Sequence, residues 1–176
     1  FDDGGPRGTD LLRQAVAGCL QAMPGSTLLL APHANSYARM VPGAHAPTGI
    51  CWAYENRTAA LRIPSGNPRA RRIEHRVAGG DINPYLMMAG VLGSALIGIE
   101  DQLSPPPPIT GSAYALDLPQ LPLTWENAIT AFADSAEMAR VFPALLIDNL
   151  VRTKRQELHY MAELSEQEVL DLYLDT

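Results

Sequence analysis

The sequence is poor in features that identify several classes of protein. Its two cysteines, Cys19 and Cys51, lack CxxC spacing, so we expect no disulfide framework or zinc site but buried free thiols in a cytoplasmic protein. It has one lysine, Lys154, and a net charge of −6, so no polybasic arm is available for nucleic acid or anionic lipid. No signal sequence is visible. The longest apolar run, residues 85–100, is interrupted by glycine and predicts a core helix rather than a membrane span.

Arginine, in contrast, is concentrated in one part of the chain. Residues 39–76 contain seven arginines, no lysine and two acids, so this segment carries +5 and the remainder −11. The seven are Arg39, Arg57, Arg62, Arg69, Arg71, Arg72 and Arg76. The planar guanidinium fork pairs with carboxylate and phosphate oxygens, so this composition favours an anion-binding site over a solvated basic face.

The apolar pattern of the first hundred residues predicts an α+β fold with a few antiparallel strands backed by helices. The expected elements are a helix from Thr9 to Gly25, a short strand from Ser26, strands within 48–57, 59–64 and 71–76, and a helix from Asn83 to about Gln102. Thr9 and Asn83 have the side chains of N-caps, and Pro84 suits the first helical turn. Gly25 is expected to end the first helix.

A proline-rich stretch and a helical region follow. We expect an extended connector, then helices from Thr124 to about Arg140, from Pro143 to about Leu164, and from the capping box "SEQE" at 165–168. The helix from Pro143 should contribute Tyr160, Met161 and Leu164 to the core, with Lys154, Arg155 and Glu157 on a solvated face. The predicted division is 1–104 as the core of strands and helices, 105–123 as connector and 124–176 as a helical subdomain.

The stretch "RRIEHR" at 71–76 places one carboxylate among several guanidinium groups. Alternation along a strand directs Arg72, Glu74 and Arg76 to one face, and Ile73 and His75 to the other. A carboxylate between arginines is a poor proton donor and a good ligand for a hard cation such as Mg²⁺. The alternative interpretation is a structural salt bridge on a half-buried strand.

Four motifs occur in order over residues 35–86: "NSYARMVPG", "NRTAALRIP", "RRIEHR" and "NPYL". Together they resemble the carboxy-terminal half of the catalytic domain of the glutamine synthetase family. The resemblance implies an ATP-dependent ligase that phosphorylates the γ-carboxylate of glutamate and transfers the acyl group to an amine. It also implies stacked-ring homo-oligomers for the parent protein.

The resemblance assigns roles to the arginines. It implies that Arg39 and Arg76 hold glutamate and its γ-glutamyl phosphate, and that Arg57, Arg62 and Arg72 bind the ATP phosphates. Arg39, Arg57 and Arg76 are the implied catalytic residues. Strict alternation places Arg57 and Arg62 on opposite faces, so Arg57 must lie in a turn or beside a bulge if both serve one site.

The resemblance implies that Glu74 is a ligand of the metal, Mg²⁺ or Mn²⁺, beside the transferred phosphoryl group. In the family the remaining metal-binding glutamates and a His-x-His motif lie further upstream, in sequence that this chain does not contain. The chain also begins with residues typical of a loop, "FDDGGPRGTD", and has no starting Met, which indicates a cut within a longer protein. We therefore expect the 176 residues alone to be catalytically inert.

One departure from the family pattern concerns the amine. Ammonia-using members have a glutamate two residues after the glycine of "NSY..LVPG", where this sequence has His45. An imidazole does not attract NH₄⁺ as a carboxylate does. His45 therefore favours the branch that joins glutamate to a larger amine, such as the γ-glutamylpolyamine synthetases, although a neighbouring acid could instead serve ammonia. His33 and His159 show no ligand pattern, and His75 is expected to be a packed or hydrogen-bonded strand residue.

The expected partners are glutamate, ATP and an amine or ammonia, with no nucleic acid and no membrane. An anion-binding homologue without chemistry is the main alternative, and Glu74 opposes it because a carboxylate at the centre of an anion site lowers its affinity. Nucleic-acid binding has no stacking-aromatic motif to support it. Arg69 and Arg71 are expected at the rim of the site.

Overall fold

The computed structural model describes residues 1–5 and 7–174. Within them the helices are α1 (Asp10–Leu30), α2 (Pro84–Glu100), α3 (Trp125–Ala133), α4 (Ala136–Val141), α5 (Ala144–Met161) and α6 (Glu166–Leu174). The strands are β1 (Trp52–Tyr54), β2 (Leu61–Ile63) and β3 (Glu74–His75). Short 3₁₀ turns cover Ala34–Arg39, Pro68–Ala70 and Ala113–Ala115. The α+β class expected from the sequence is confirmed.

Helix α1 is longer than its sequence predicted. Thr9 is the N-cap, as expected, and its hydroxyl accepts from the Leu12 amide. The helix then continues through Pro24 and Gly25 to Leu30, so the predicted strand from Ser26 is wrong. Gly25 does not end the helix. A glycine is needed there for close packing, because a Cβ would come within 2.3 Å of the Ser135 hydroxyl. Tertiary packing at this point overrides the local signal.

Helices α1 and α2 cross at a glycine pair. A Cβ on Gly18 would lie 2.1 Å from the Ser94 carbonyl oxygen, and one on Gly98 would lie 2.1 Å from the Gln14 carbonyl oxygen. Helix α2 begins as predicted, since Asn83 accepts hydrogen bonds from the amides of Tyr85 and Leu86. The crossing therefore brings the backbones of the two helices into direct contact.

The sheet has the order β1-β2-β3, and its first pairing differs from expectation. Strands β1 and β2 are parallel, whereas β2 and β3 are antiparallel. The link 55–60 is longer than a two-residue hairpin turn, and it starts with Glu55 in the left-handed region at φ 51°. The chain therefore loops back before entering β2, and the prediction of antiparallel strands is wrong for this pair.

The carboxy-terminal region is divided differently from the prediction. The single helix expected to about Arg140 is two helices, because the Ser135 hydroxyl accepts from the Met138 amide and starts α4. Helix α5 follows Pro143 and α6 follows Ser165, both as predicted, with the Ser165 amide and hydroxyl bonded to Glu168.

Two side chains of α5 have a burial opposite to the one predicted. Lys154 is buried, because its ammonium lies 2.7 Å from Glu157 and 5.8 Å from the centre of the Trp125 ring. Tyr160 is 52% exposed instead of buried. Met161 does pack against the core, as expected, and Leu164 is half-buried.

One apolar core joins the sheet to the helices. It contains buried side chains of α1, β1, β2, α3, α4 and α5, and part of α2 packs against it. Cys19 and Cys51 are buried free thiols, as expected. Helices from 1–104 and from 124–174 share this core. The three-part division of the chain remains a sequence-based prediction. Among the described residues, no helix has the length and apolarity needed to cross a membrane.

Candidate functional site

The site is built where β2 and β3 pair. The register sets Arg62 opposite Glu74, and side chains opposite each other in an antiparallel pair lie on the same face. Arg62 Nη1 donates to Glu74 Oε2 at 3.0 Å, and Arg76 Nε lies 3.2 Å from Glu74 Oε1. Both oxygens of one carboxylate are thus paired with guanidinium groups, which leaves Glu74 at the centre of the arrangement.

Arg62 binds a second carboxylate with the other end of its fork. Its Nη2 donates to Glu55 Oε2 at 3.0 Å. The Ser65 amide donates to Glu55 Oε1, and this bond, with the Arg62 guanidinium next, lowers the pKa of Glu55. The sequence interpretation gave Glu55 no role. The signal was present, since Glu55 and Glu74 are the two acids among the seven arginines of 39–76.

Arg76 ties the site to the link between β1 and β2. Its Nη1 donates to the carbonyl oxygens of Arg57 and of Ala59, the latter at 3.2 Å. Its backbone amide donates to Ala60 O at 2.9 Å. Arg57 lies in the turn of this link with an exposed side chain, the position that strand alternation required of it.

Arg39 lies beside this group without touching Glu74 in the described structure. It ends the 3₁₀ turn Ala34–Arg39, and its Nη2 donates to Leu30 O at 3.1 Å and to Val77 O at 2.8 Å. Val77 follows Arg76 directly. The 3₁₀ turn is held by a hydrogen bond from Ser36 to Asp81, so Arg39 is fixed next to the segment that follows β3 and contains Arg76 and Val77.

Other predicted members lie further from Glu74. Arg72 is exposed, and its Nη1 donates to Ala70 O at 3.3 Å. Strand β3 starts only at Glu74, so alternation does not govern Arg72, and Arg62 takes the place beside the carboxylate. His45 is exposed and has a left-handed backbone with φ 62°.

The two expected rim arginines differ from each other. Arg69 is exposed, as a rim charge should be. Arg71 is half-buried, and its Nη2 donates to Gly5 O at 2.8 Å, so it fastens the amino-terminal loop. A cleft of about 460 Å³ lies between that loop and residues 63–68 and includes Ser65, whose amide binds Glu55.

His75 faces away from the arginine group, as alternation predicted. Its Nδ1 is buried and has no hydrogen-bond partner among the described residues. Burial lowers its pKa from 6.5 to about 4, because a charged imidazolium would lose its hydration there. The side chain is therefore a neutral packing residue at neutral pH.

A metal site is incomplete in this set of residues. The described part of the chain has no cluster of three or more His, Cys, Asp or Glu side chains that could hold a metal ion. Glu74 is a single carboxylate whose oxygens already contact Arg62 and Arg76. The residues thus fit an anion with several oxygens better than they fit a cation by themselves.

Comparison with known proteins gives one consistent set of relatives. The family model described as glutamine synthetase, catalytic domain, matches residues 1–173. The chain is 44% identical over 148 residues to a γ-glutamylethanolamide synthetase of Streptomyces coelicolor, covering 76% of this chain and 32% of the relative. It is 38% identical over 130 residues to a γ-glutamylputrescine synthetase of Escherichia coli, covering 74% and 28%.

A glutamine synthetase of Aquifex aeolicus is 35% identical over 172 residues, covering 92% of this chain and 37% of that protein. Among solved structures, apo GmaS superposes with a TM-score of 0.79 at 31% identity, covering 94% of this chain and 39% of that one. The chain thus spans about a third of the length of the relatives that it matches.

Proposed function

Because the chain belongs to the glutamine synthetase catalytic-domain family, we propose that it is the carboxy-terminal catalytic part of an ATP-dependent glutamate–amine ligase. In the proposed reaction the γ-carboxylate of glutamate takes the γ-phosphoryl group of ATP, which gives an acyl phosphate and ADP. The amine nitrogen then attacks the acyl carbon, phosphate leaves, and the amine loses a proton as the amide forms.

The observation that carries this proposal is the convergence of Arg62 and Glu74 from two paired strands with Arg76, which directly follows the second of them. Phosphoryl transfer concentrates negative charge on several oxygens, and positioned cations are the main protein contribution to it. Guanidinium groups held by carboxylates and carbonyls are oriented before the substrate binds, so little reorganisation is needed. Arg39, fixed on the neighbouring segment, adds a further cation to the same region.

We assign the arginines as the family resemblance implies. Arg39 and Arg76 are proposed to hold glutamate and the γ-glutamyl phosphate. Arg57, Arg62 and Arg72 are proposed to bind the phosphates of ATP. Arg57 and Arg72 are exposed, which supports this assignment because an exposed guanidinium group is accessible to a ligand.

Family membership implies a divalent metal, Mg²⁺ or Mn²⁺, in addition to ATP. The residues described do not form such a site, because Glu74 is one carboxylate between two guanidinium groups. Glu74 as a metal ligand is therefore a proposal for the whole protein, in which further ligands would have to join it.

The proposed acceptor is an amine larger than ammonia. His45, which replaces the carboxylate of ammonia-using members, lies in an exposed loop. Two of the relatives are named for ethanolamide and putrescine products, which supports the same choice. A comparison of ethanolamine, putrescine and ammonia as acceptors, with the amide product identified by mass spectrometry, tests it. Preferential use of ammonia would contradict it.

The test of the ligase against an anion-binding protein without chemistry is the substitution Glu74→Gln in the whole protein. For a ligase, loss of the carboxylate should weaken Mg²⁺-dependent ATP binding by about tenfold, measured by calorimetry. For an anion-binding module, metal-free ATP binding should instead become tighter, because Arg62 and Arg76 lose a competing anion. Glu126→Gln, at an exposed position of α3, is the matched control.

For the whole protein we also propose the stacked-ring homo-oligomer of the family. Light scattering coupled to size-exclusion chromatography measures its mass. A monomer at micromolar concentration would contradict this part of the proposal.

A further inference from the structure

The connector after α2 is extended, as its sequence predicts, and its backbone is hydrogen-bonded to β1 and to the residues just before it. Trp52 Nε1 donates to Pro106 O at 2.7 Å, and the Ile109 amide donates to Trp52 O at 3.0 Å. Further along, the Ile50 amide donates to Pro119 O at 2.7 Å and the Leu121 amide to Thr48 O at 2.8 Å. The connector is thus attached to residues 48–52 at both of its ends.

The middle of the connector, residues 111–114, contacts two loops that carry predicted site residues. We call these four residues the bracing segment. The first loop is the turn of Arg57. Asn56 Nδ2 donates to Gly111 O at 2.7 Å, and the Ala113 amide donates to Thr58 Oγ1 at 2.8 Å.

The residues on either side of Arg57 are also bonded to each other. Asn56 Oδ1 accepts from the Thr58 amide at 2.9 Å and from the Thr58 hydroxyl at 2.7 Å. Arg76 binds the carbonyl oxygens of Arg57 and Ala59 in the same link. The Arg57 turn is therefore held by Arg76 and by the bracing segment together, although it belongs to no strand.

The second loop is that of His45. Tyr114 donates its hydroxyl hydrogen to Ala46 O at 2.9 Å, one residue after His45. Residues 41–45 are exposed, and His45 has a left-handed backbone that only an external constraint makes favourable for a non-glycine residue. Ala113, beside Tyr114, is buried against Cys51 and Ala53, which anchors the bracing segment to the sheet.

We propose that the bracing segment holds the Arg57 turn and the His45 loop at a fixed separation, with Tyr114 as a positioning residue for the amine-binding loop. This rests on the proposed ligase function, in which Arg57 meets ATP and His45 meets the amine. The bracing segment would then determine how far the incoming nitrogen lies from the acyl phosphate. A change at Tyr114 should act on the amine, and a change at Thr58 should act on the nucleotide.

The kinetic test uses Tyr114→Phe in the whole protein, which removes one hydroxyl and keeps the ring. The expected result is a rise of about five- to tenfold in KM for the amine, with KM for ATP unchanged. Thr58→Val should instead raise KM for ATP and leave KM for the amine unchanged. Tyr160→Phe, at an exposed position on α5, is the matched control and should match wild type.

A second measurement does not depend on activity. Amide hydrogen exchange of residues 41–47 should become faster in Tyr114→Phe, while exchange in α1 stays the same. Unchanged exchange together with unchanged KM values would overturn the proposal and leave the ligase function intact. An equal rise in KM for every substrate would also overturn the proposal, since that result indicates a general packing role. If wild type forms no glutamyl amide, the ligase function fails, and hydrogen exchange still decides whether the segment braces the loop.

Discussion

Arg62 is the residue on which the site's electrostatics depend. Its guanidinium contacts Glu74 with one nitrogen and Glu55 with the other, both at 3.0 Å, and its side chain is largely buried. Lysine, a point charge on a flexible stem, could not reproduce this two-sided geometry. A phosphate that enters this region therefore meets a cation already oriented by two anions.

His75 gives a prediction at the residue scale. Its pKa is lowered to about 4 in the folded protein, against an ordinary value of 6.5. Below pH 6.5 the unfolded chain binds a proton that the folded chain does not bind until about pH 4. The free energy of unfolding should therefore fall as the pH falls through this range, by at most about 1.4 kcal/mol per pH unit from this group.

His75→Phe should remove that contribution, so its stability should decline less between pH 6.5 and pH 4 than that of wild type. Urea unfolding at a series of pH values measures the difference. His159→Gln is the control, because the His159 side chain is 84% exposed. Parallel curves for wild type and His75→Phe would show that the imidazole is not buried neutral.

At the scale of elements, helices α1 and α2 cross with their backbones in contact. The contact is made by backbone atoms of Gly18 and Gly98, which leaves no space for a methyl group between them. Close packing of this kind transmits small shifts, because the interior cannot absorb added volume. Strands β1 and β2 contribute side chains to the same core as α1, so we expect a shift at the crossing to affect the strand that carries Arg62.

Gly18→Ala should accordingly destabilise the protein by about 1–3 kcal/mol, through a methyl group forced against the Ser94 carbonyl and the backbone of Gly98. Thermal unfolding followed by circular dichroism measures this. Gly80→Ala is the control, since a Cβ there would meet no heavy atom within 4 Å. Equal melting temperatures for the two variants would contradict the tight crossing.

For the whole molecule, the chain spans about a third of the relatives' length and holds one carboxylate at its candidate metal position. A divalent ion bound by so few ligands binds weakly. We therefore expect the purified 176-residue chain to release no phosphate from Mg-ATP, glutamate and an amine. A coupled phosphate assay measures this, with the whole protein as positive control. Steady turnover by the chain alone would refute the expectation.

Helix α2 also shows a property of the molecule as a whole. Its residues Tyr85, Met88, Leu92 and Leu96 are apolar and more than half exposed. A helix that is apolar on all sides is normally buried on all sides. The sequence predicted a core helix. The helix forms as predicted, but the described residues cover only one side of it, so the expectation of full burial is wrong within this part of the chain.

Much of the fold and part of the site followed from local sequence. The N-caps Thr9 and Asn83 were predicted correctly, because capping depends on residues within one turn. Strand alternation predicted that Arg57 lies in a turn or beside a bulge if it shares a site with Arg62, and the structure has it in a turn. Glu55 was missed, because its role depends on Arg62 and Ser65, which approach it only after the link 55–60 folds.

The sequence by itself determined which residues could carry the chemistry: an arginine-rich segment with two acids, in the order of motifs of one family. The predicted family and the predicted α+β class are both confirmed. The sequence could determine them because both depend on residue types and short-range periodicity. Only the tertiary structure decided that β1 and β2 run parallel, that α1 continues past Gly25, and that the connector binds the site loops. These outcomes depend on packing and hydrogen bonds between residues far apart in the chain, which no local pattern specifies.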